Sequence, residues 1–113
     1  MDNKEILLRA NAEIDKGNYE GFLEYCTDDT RWIFVGEQTL QGKAAVLKYM
    51  KDAYLQPPRV TVENFVVEGD YLIVYGTIAL LNEAQNWVDY GYCDAWRLED
   101  GKLAELKAYV VPL

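Results

Sequence analysis

Residues 87–98 read WVDYGYCDAWRL, a stretch in which large and small side chains alternate. Successive side chains of a β-strand point to opposite faces, so this period of two predicts a strand with one bulky face and one small, more polar face. The bulky face consists of the even-numbered residues Val88, Tyr90, Tyr92, Asp94, Trp96 and Leu98. We expect this face to be buried, which places the acidic Asp94 on a core-facing surface.

Three further stretches have the same period. They predict strands near residues 59–68, 71–81 and 102–111, which turn-forming residues separate from one another and from residues 87–98. On the last of these strands the predicted apolar face consists of Ala104, Leu106, Ala108 and Val110. Consecutive strands joined by short turns are typical of an antiparallel meander.

The N-terminal part of the chain has helical spacing. A first helix is predicted near residues 3–16, because Asp2 and Glu5 stand at capping-box spacing and Gly17 is a natural stop. A short second helix follows the capping residue Asn18. Its apolar stripe consists of Tyr19, Phe22, Leu23 and Cys26.

Between these helices and the meander lies a mixed segment. Residues 27–29 predict a turn, residues 30–35 a short strand and residues 36–42 a connecting loop. A third helix is predicted over residues 42–55, and the pair Pro57-Pro58 prevents it from continuing. Helices followed by a meander indicate an α+β domain. A long, curved antiparallel sheet wrapped around three helices closes into a cone, whose wide mouth suits a small ligand.

The length and charge of the chain disfavour several classes of protein. Its 113 residues are about three quarters of a typical ~150-residue domain, which predicts a single domain over residues 1–113. The net charge of −8 repels phosphate backbones and anionic lipids, so we expect neither nucleic-acid nor membrane partners. The absence of histidine removes His-based catalysis and nearly every zinc site, and we predict no metal and no cofactor.

The two cysteines and the N-terminus bear on location. Cys26 and Cys93 match no metal or redox spacing, and we expect both to be free thiols buried as small hydrophobic residues. The first residues precede no apolar leader, and no apolar run approaches the ~18 residues of a membrane span. We therefore expect a cytoplasmic protein.

Asp94 is the first candidate functional residue. It stands between Tyr92 and Trp96 on the predicted core face, where loss of hydration raises the pKa of its carboxyl group above ~3.9. A perturbed carboxyl group in a concave site is a candidate for acid/base chemistry. Two structural interpretations stay open: a hydrogen bond from a tyrosine or tryptophan, or a β-bulge that turns the side chain outward.

Aromatic residues are the second candidate feature. Trp32 and Phe34 share one face of the first predicted strand, and together with Tyr90, Tyr92 and Trp96 they form either a wall for a flat apolar ligand or ordinary core. The apolar face of the last strand adds three predicted ligand-binding residues, Leu106, Ala108 and Val110.

The order of the elements and three turn segments resemble a known family. The segments are Tyr25-Cys26-Thr27-Asp28-Asp29-Thr30, Leu40-Gln41-Gly42-Lys43 and Arg97-Leu98-Glu99-Asp100-Gly101-Lys102-Leu103. Over nearly its whole length the chain resembles the SnoaL-like branch of the nuclear transport factor 2-like superfamily. This resemblance implies a cystatin-like cone. The superfamily includes ketosteroid isomerases, polyketide cyclases, dehydratases, epoxide hydrolases and non-catalytic binding modules.

The resemblance also implies roles for individual residues. Asp94 takes the position of the carboxylic acid that ketosteroid isomerases keep protonated as a hydrogen-bond donor, whereas Ala10 and Phe34 take the positions of their tyrosine donor and their base. We therefore do not expect ketosteroid isomerase activity. Polyketide cyclase-like members imply a looser pattern, in which Asp94 is the acid/base and Tyr90 or Tyr92 donates to a developing enolate oxygen.

Function is thus predicted with alternatives. The first is an isomerase-, cyclase- or lyase-type enzyme acting on a small apolar or aromatic molecule. The others are a non-catalytic module that binds a ligand or a protein, and a scaffold whose cone is filled by large side chains. Gly91, Cys93 and Ala95 form a face of small residues opposite Asp94, and the resemblance implies a homodimer through this convex face.

Overall fold

Nine elements of secondary structure form the protein, whose computed structural model describes every residue from Met1 to Leu113. The helices are α1 (Asn3–Asp15), α2 (Tyr19–Leu23) and α3 (Lys43–Ala53). The strands are β1 (Cys26–Phe34), β2 (Gln38–Gln41), β3 (Arg59–Glu68), β4 (Tyr71–Leu81), β5 (Trp87–Glu99) and β6 (Lys102–Pro112). The three predicted helices and the four strands of the meander are confirmed to within about three residues at each end.

The six strands form one sheet in the order β2-β1-β6-β5-β4-β3. Neighbouring strands are antiparallel, except that β1 and β6 run parallel. The helices pack on the concave face of this curved sheet. The predicted α+β cone with a mainly antiparallel sheet is therefore confirmed. The helices are too short or too polar to span a bilayer.

Local signals begin the first two helices. The Asp2 carboxylate accepts a hydrogen bond from the backbone N–H of Glu5, and the Asn18 side chain accepts one from Gly21. Each cap satisfies a donor of the first helical turn and contributes about 1 kcal/mol. Beyond the end of α1, Gly17 has a φ of 76°, which glycine adopts without strain.

Strand β1 begins earlier than the sequence predicts. The prediction of a turn at residues 27–29 is wrong, because these residues continue β1. Cys26 begins this strand and does not belong to the second helix. The reason is a set of partners on β6. The Leu103 backbone N–H donates to the carbonyl of Tyr25, and the Thr30 hydroxyl donates to the carbonyl of Leu103.

The loop predicted at residues 36–42 contains a sixth strand. Strand β2 pairs antiparallel with β1, with Leu40 opposite Trp32. Gly36, with a φ of 82°, lies in the tight turn between the two strands. Leu40 is the one large apolar residue of β2, so the segment has too little alternation to indicate a strand. It becomes one because the open edge of β1 offers backbone hydrogen-bond partners.

A β-bulge changes the inward-facing set on β6. The register between β5 and β6 shifts after Arg97, which faces Glu105, whereas Leu98 faces Leu103. Ala104 is the extra residue; it is buried, but it lies on the outer face beside Arg97 and Glu105 and outside the main core cluster. The prediction that Ala104 belongs to the inner face is therefore wrong, and Leu103 takes that place.

The core fills the end of the cone near the β3–β4 and β5–β6 turns. Its largest fully buried side chains are Phe22, Leu7, Met50, Leu72, Leu98 and Leu103. Removing a side chain of this size from water contributes about 1.5–3 kcal/mol. Toward the opposite end the side chains no longer meet across the cone, and a cavity opens.

Candidate functional site

The open end of the cone contains a cavity of about 290 Å³. Of its 22 lining residues, 18 are hydrophobic, which suits an apolar ligand. All three helices, the segment after α3, and all strands except β2 contribute to the wall. Leu8, Val60, Val62 and Val110 are exposed and mark the mouth, whereas Trp32 and Trp96, only 3% and 4% exposed, mark the floor. The large side chains of the concave face therefore leave the cone partly empty.

Asp94 lies in the wall of this cavity, as the period of β5 predicts. In the sheet it stands between Val74 on β4 and Ala108 on β6, with no bulge at its position. Neither partner is polar, and no protein group donates a hydrogen bond to the carboxylate. Burial alone therefore acts on the group and raises the pKa of Asp94 to about 7. The structure therefore shows neither of the two features that the sequence left open, a hydrogen bond from a tyrosine or tryptophan and a β-bulge at Asp94.

Tyr54 is a neighbour of Asp94 that sequence reasoning missed. It follows the last turn of α3, and its ring packs edge-on against Tyr19 and Tyr49. Burial raises the pKa of its hydroxyl far above the usual range, and the negative charges of Tyr49 and Asp94 add to this effect. Its place just before Pro57-Pro58 was the available signal, because the proline pair ends the helix there and releases Tyr54 toward the cavity.

The two tyrosines predicted as donors differ in position. Tyr92 is nearly buried in the wall beside Asp94, and burial, with a smaller contribution from the Asp94 charge, raises its pKa to about 12. Tyr90 is not a lining residue of the cavity. It lies two residues before Tyr92 on β5, opposite Pro112 of β6. Burial raises the pKa of the Tyr49 hydroxyl, and Glu37 and Tyr90 make smaller contributions in the same direction. A strand pattern shows the face of Tyr90 but not where the cavity ends.

The aromatic residues form a continuous cluster against the floor. The Trp32 ring lies edge-to-face with Phe22, Phe34, Tyr49 and Trp96 at centroid distances of 5.7, 6.2, 6.3 and 6.2 Å, respectively. Such T-shaped pairs are favourable beyond the burial of their area. The six predicted ligand-binding residues, Trp32, Phe34, Trp96, Leu106, Ala108 and Val110, all line the cavity.

The ionisable groups of the cavity carry no positive charge. Besides Asp94 and three tyrosines, they include Asp15 near the mouth, and Asn11 is the remaining polar side chain. No lysine or arginine lines the wall. Lys4 lies over the Phe65 ring and Arg59 over the Trp87 ring, at 4.8 and 3.7 Å from the ring centroids, and neither reaches the lining.

Other chemistry-bearing groups lie away from the cavity. Cys26 is buried, burial raises the pKa of its thiol to about 11, and it forms no disulfide with Cys93. The protein has no cluster of three or more Cys, Asp or Glu side chains placed to hold a metal ion. Ala10 is fully buried outside the cavity, while Phe34 lines it. The two positions that carry a tyrosine donor and a base in ketosteroid isomerases are thus apolar.

Comparisons with known proteins agree with this architecture. A family model described as a SnoaL-like domain matches residues 7–106. A search of curated proteins produced no match.

Among solved structures, the fold is similar to an NTF2-like protein of unknown function from Burkholderia pseudomallei, with 17% identity, coverage of 96% of this chain and 90% of the other, and a TM-score of 0.83. It is also similar to a protein from a Jannaschia species named for SnoaL-like polyketide cyclases, with 23% identity, 96% and 84% coverage and a TM-score of 0.80. A third is SalBIII, an epoxide hydrolase/cyclase-like enzyme of pyran ring formation in salinomycin, with 17% identity, 98% and 95% coverage and a TM-score of 0.85. At these identities the likeness shows the fold.

Proposed function

Because the chain belongs to the SnoaL-like domain family, we propose that its cavity binds a small apolar or aromatic substrate on which Asp94 acts as acid and base. The reaction class is that of an isomerase, cyclase or lyase. The observation that carries the proposal is the Asp94 carboxyl group itself, which has no partner in the protein although apolar groups surround it. A carboxyl group with a pKa near 7 is suited to both accept and return a proton at neutral pH.

The surrounding groups support one chemical step. The Asp94 carboxylate removes a proton from a carbon next to a substrate carbonyl. The electron pair of that C–H bond forms a carbon–carbon double bond, and the π electron pair of the carbonyl moves onto its oxygen to give an enolate. Tyr92 and Tyr54 carry the hydroxyl groups nearest to Asp94 and are the proposed donors to this oxygen. The protonated Asp94 then returns its proton to a carbon. Tyr90 lies outside the lining, so Tyr54 replaces it in this proposal.

The step is testable with a model ketone. 2-Tetralone carries an aromatic ring and acidic protons next to its carbonyl, and exchange of these protons for deuterium in D₂O is measured by NMR. We expect the protein to accelerate the exchange and Asp94→Asn to lower the protein-catalysed rate about 100-fold. Asp89→Asn is the matched control, because it removes the same charge from an exposed position of β5 outside the cavity, and its rate is expected to stay within about twofold. Equal exchange by the protein and Asp94→Asn would exclude the acid/base role.

A protein-interaction role is the second candidate, and the outer face of the sheet favours it; this role neither requires nor excludes catalysis in the cavity. Tyr75, Cys93 and Tyr109 stand side by side on β4, β5 and β6, and both tyrosine rings are exposed. Gly91 and Ala95 flank Cys93 and leave room for a second sheet to approach. Contiguous exposed apolar surface marks interaction sites, and we propose a homodimer through this face.

Sedimentation velocity tests the dimer. We expect the protein to sediment as a dimer and Cys93→Arg to sediment as a monomer, because a buried unpaired charge opposes association. Ala44→Arg, on the exposed surface of α3, is the control and is expected to stay dimeric. A monomeric parent protein contradicts the proposal.

The cytoplasmic location and the lack of nucleic-acid and membrane partners stay predictions from composition.

A further inference from the structure

The charge of the cavity restricts what it can bind. Its ionisable side chains are two aspartates and three tyrosines, all of which are neutral or negative at every pH. The chain as a whole carries a net charge of −8, which adds to the negative potential in the cone. An anionic ligand would lose its hydration without meeting a positive group, so a carboxylate or phosphate is disfavoured.

The Asp94 carboxyl group needs a partner from outside the protein. Asp94 is half-buried in the cavity wall, no side chain donates a hydrogen bond to it, and its neighbours across the sheet, Val74 and Ala108, have no side-chain donor. A buried carboxylate without a donor is unfavourable, and a bound cation offers the strongest compensation through a charge-assisted hydrogen bond.

The wall also suits a cation attached to an aromatic ring. Trp32, Phe34 and Tyr49 are in mutual contact, with 4.9 Å between the ring centroids of Phe34 and Tyr49. Aromatic faces attract ammonium groups, and this attraction grows when water is excluded.

We propose that the ligand is an arylalkylamine, bound as a cation with its ammonium group against Asp94 and its ring against the aromatic cluster around Trp32. This inference rests on the proposed ligand-binding function of the cavity and names the charge of that ligand. Because an ammonium group paired with Asp94 occupies the carboxylate and favours its ionised form, the inference concerns binding of the amine and not proton transfer to carbon.

Three probes with one ring system separate the effect of charge from that of shape. Tryptamine is cationic at neutral pH, tryptophol is its neutral alcohol analogue, and indole-3-acetate is the anionic counterpart. In calorimetric titrations of the protein we expect tryptamine to bind at least about tenfold more tightly than tryptophol, and indole-3-acetate to bind most weakly. Asp94→Asn is expected to remove the advantage of tryptamine while changing the affinity for tryptophol by no more than about twofold. Asp89→Asn, the matched control outside the cavity, is expected to leave the advantage of tryptamine unchanged within about twofold.

The pH dependence gives a second readout. Tryptamine binds to the ionised form of Asp94, so below about pH 7 its binding releases a proton. Its affinity is therefore expected to rise about tenfold for each unit by which the pH increases toward 7. The titratable groups that face Asp94 are Tyr92 on its own strand, Tyr49 and Tyr54 from the α3 segment, and Asp15 from α1; β1, β3, β4 and β6 contribute none to the lining. The tyrosines do not titrate in this range, because burial raises their pKa values. Tryptophol affinity is expected to stay flat.

The outcomes distinguish this inference from the proposed function. If tryptophol or indole-3-acetate binds as tightly as tryptamine, the amine proposal is overturned while the cavity stands as a ligand site. If no probe binds, the amine proposal is again overturned, and the exchange of 2-tetralone protons decides separately whether the cavity takes a ligand. A tryptamine preference that persists unchanged in Asp94→Asn also overturns it.

Discussion

Trp32 on β1 and Trp96 on β5 meet edge-to-face, with ring centroids 6.2 Å apart and planes at 81°. Strand β6 lies between their two strands, and Leu106 is the residue opposite both of them in the sheet. The three side chains thus form a row across the concave face. This row separates the filled end of the cone from the cavity and serves as the floor of the proposed site.

Replacing Trp96 by alanine is expected to lower the free energy of unfolding by about 3–5 kcal/mol, because it removes one half of this floor and leaves a void beside Phe22. Chemical denaturation followed by circular dichroism measures the change. Leu8→Ala is the control: Leu8 lines the mouth but is 46% exposed, and we expect a loss below about 1 kcal/mol. Similar losses for the two variants would contradict the assignment of floor and mouth.

Gly76 on β4 is expected to tolerate no side chain. A Cβ atom at this position would overlap the Thr61 carbonyl oxygen of β3, next to the register shift between Val62 and Asn64. Backbone atoms of a paired strand cannot move aside, so Gly76→Ala is expected to destabilise by about 2 kcal/mol or more.

Gly91→Ala provides the comparison for Gly76→Ala. A Cβ atom at Gly91 would meet the Val111 side chain at 3.5 Å, an ordinary contact, and we expect a change within about 1 kcal/mol. Thermal unfolding of both variants is the measurement. A stable Gly76→Ala protein would show that β3 does not approach β4 as closely as the structure has it.

Cys26 is expected to be unreactive in the folded protein. Burial raises the pKa of its thiol to about 11, and the side chain is fully enclosed. In Cys93→Ser, which leaves Cys26 as the single thiol, iodoacetamide at pH 8 is expected to label the protein in guanidinium but not under native conditions. Rapid labelling of the native variant would contradict the burial of Cys26.

The parts of the fold that could be predicted from the sequence are those whose own residues carry the pattern. Strands β3 and β4 are long enough for their alternation to locate both ends, Arg59–Glu68 and Tyr71–Leu81. Strand β2 and the start of β1 could not be predicted, because partners on β1 and β6 make them strands. The bulge at Ala104 is likewise a property of the β5–β6 pair, invisible in either strand alone.

The candidate site shows the same division. The inward direction of Asp94 follows from the period of β5, and six predicted lining residues follow from the faces of β1, β5 and β6. Tyr54 was missed because it meets Asp94 only after α3 packs across the cone. Tyr90 lies outside the lining because the depth of the cavity depends on where α1 and α3 end.

Asp94 is expected to make the protein less stable as the pH rises from about 4 to 7. Burial raises its folded-state pKa from 3.8 to about 7, so in this range the folded protein keeps a proton that the unfolded chain has already released. The free energy of unfolding therefore decreases as the pH rises through this window, by up to about 4 kcal/mol. Above the window Asp94 is ionised in both states and causes no further change.

Asp94→Asn removes this linkage, because the amide keeps the size of the carboxyl group and has no charge. We expect the variant to match the parent protein at pH 4 and to be more stable by a few kcal/mol at pH 8, as measured by urea denaturation at each pH. Asp15→Asn, which removes an exposed carboxylate, is the control and is expected to change the pH dependence little. If Asp94→Asn changed the free energy of unfolding equally at both pH values, Asp94 would be ionised at both. Its carboxylate would then have a partner or a solvent contact that the structure does not show.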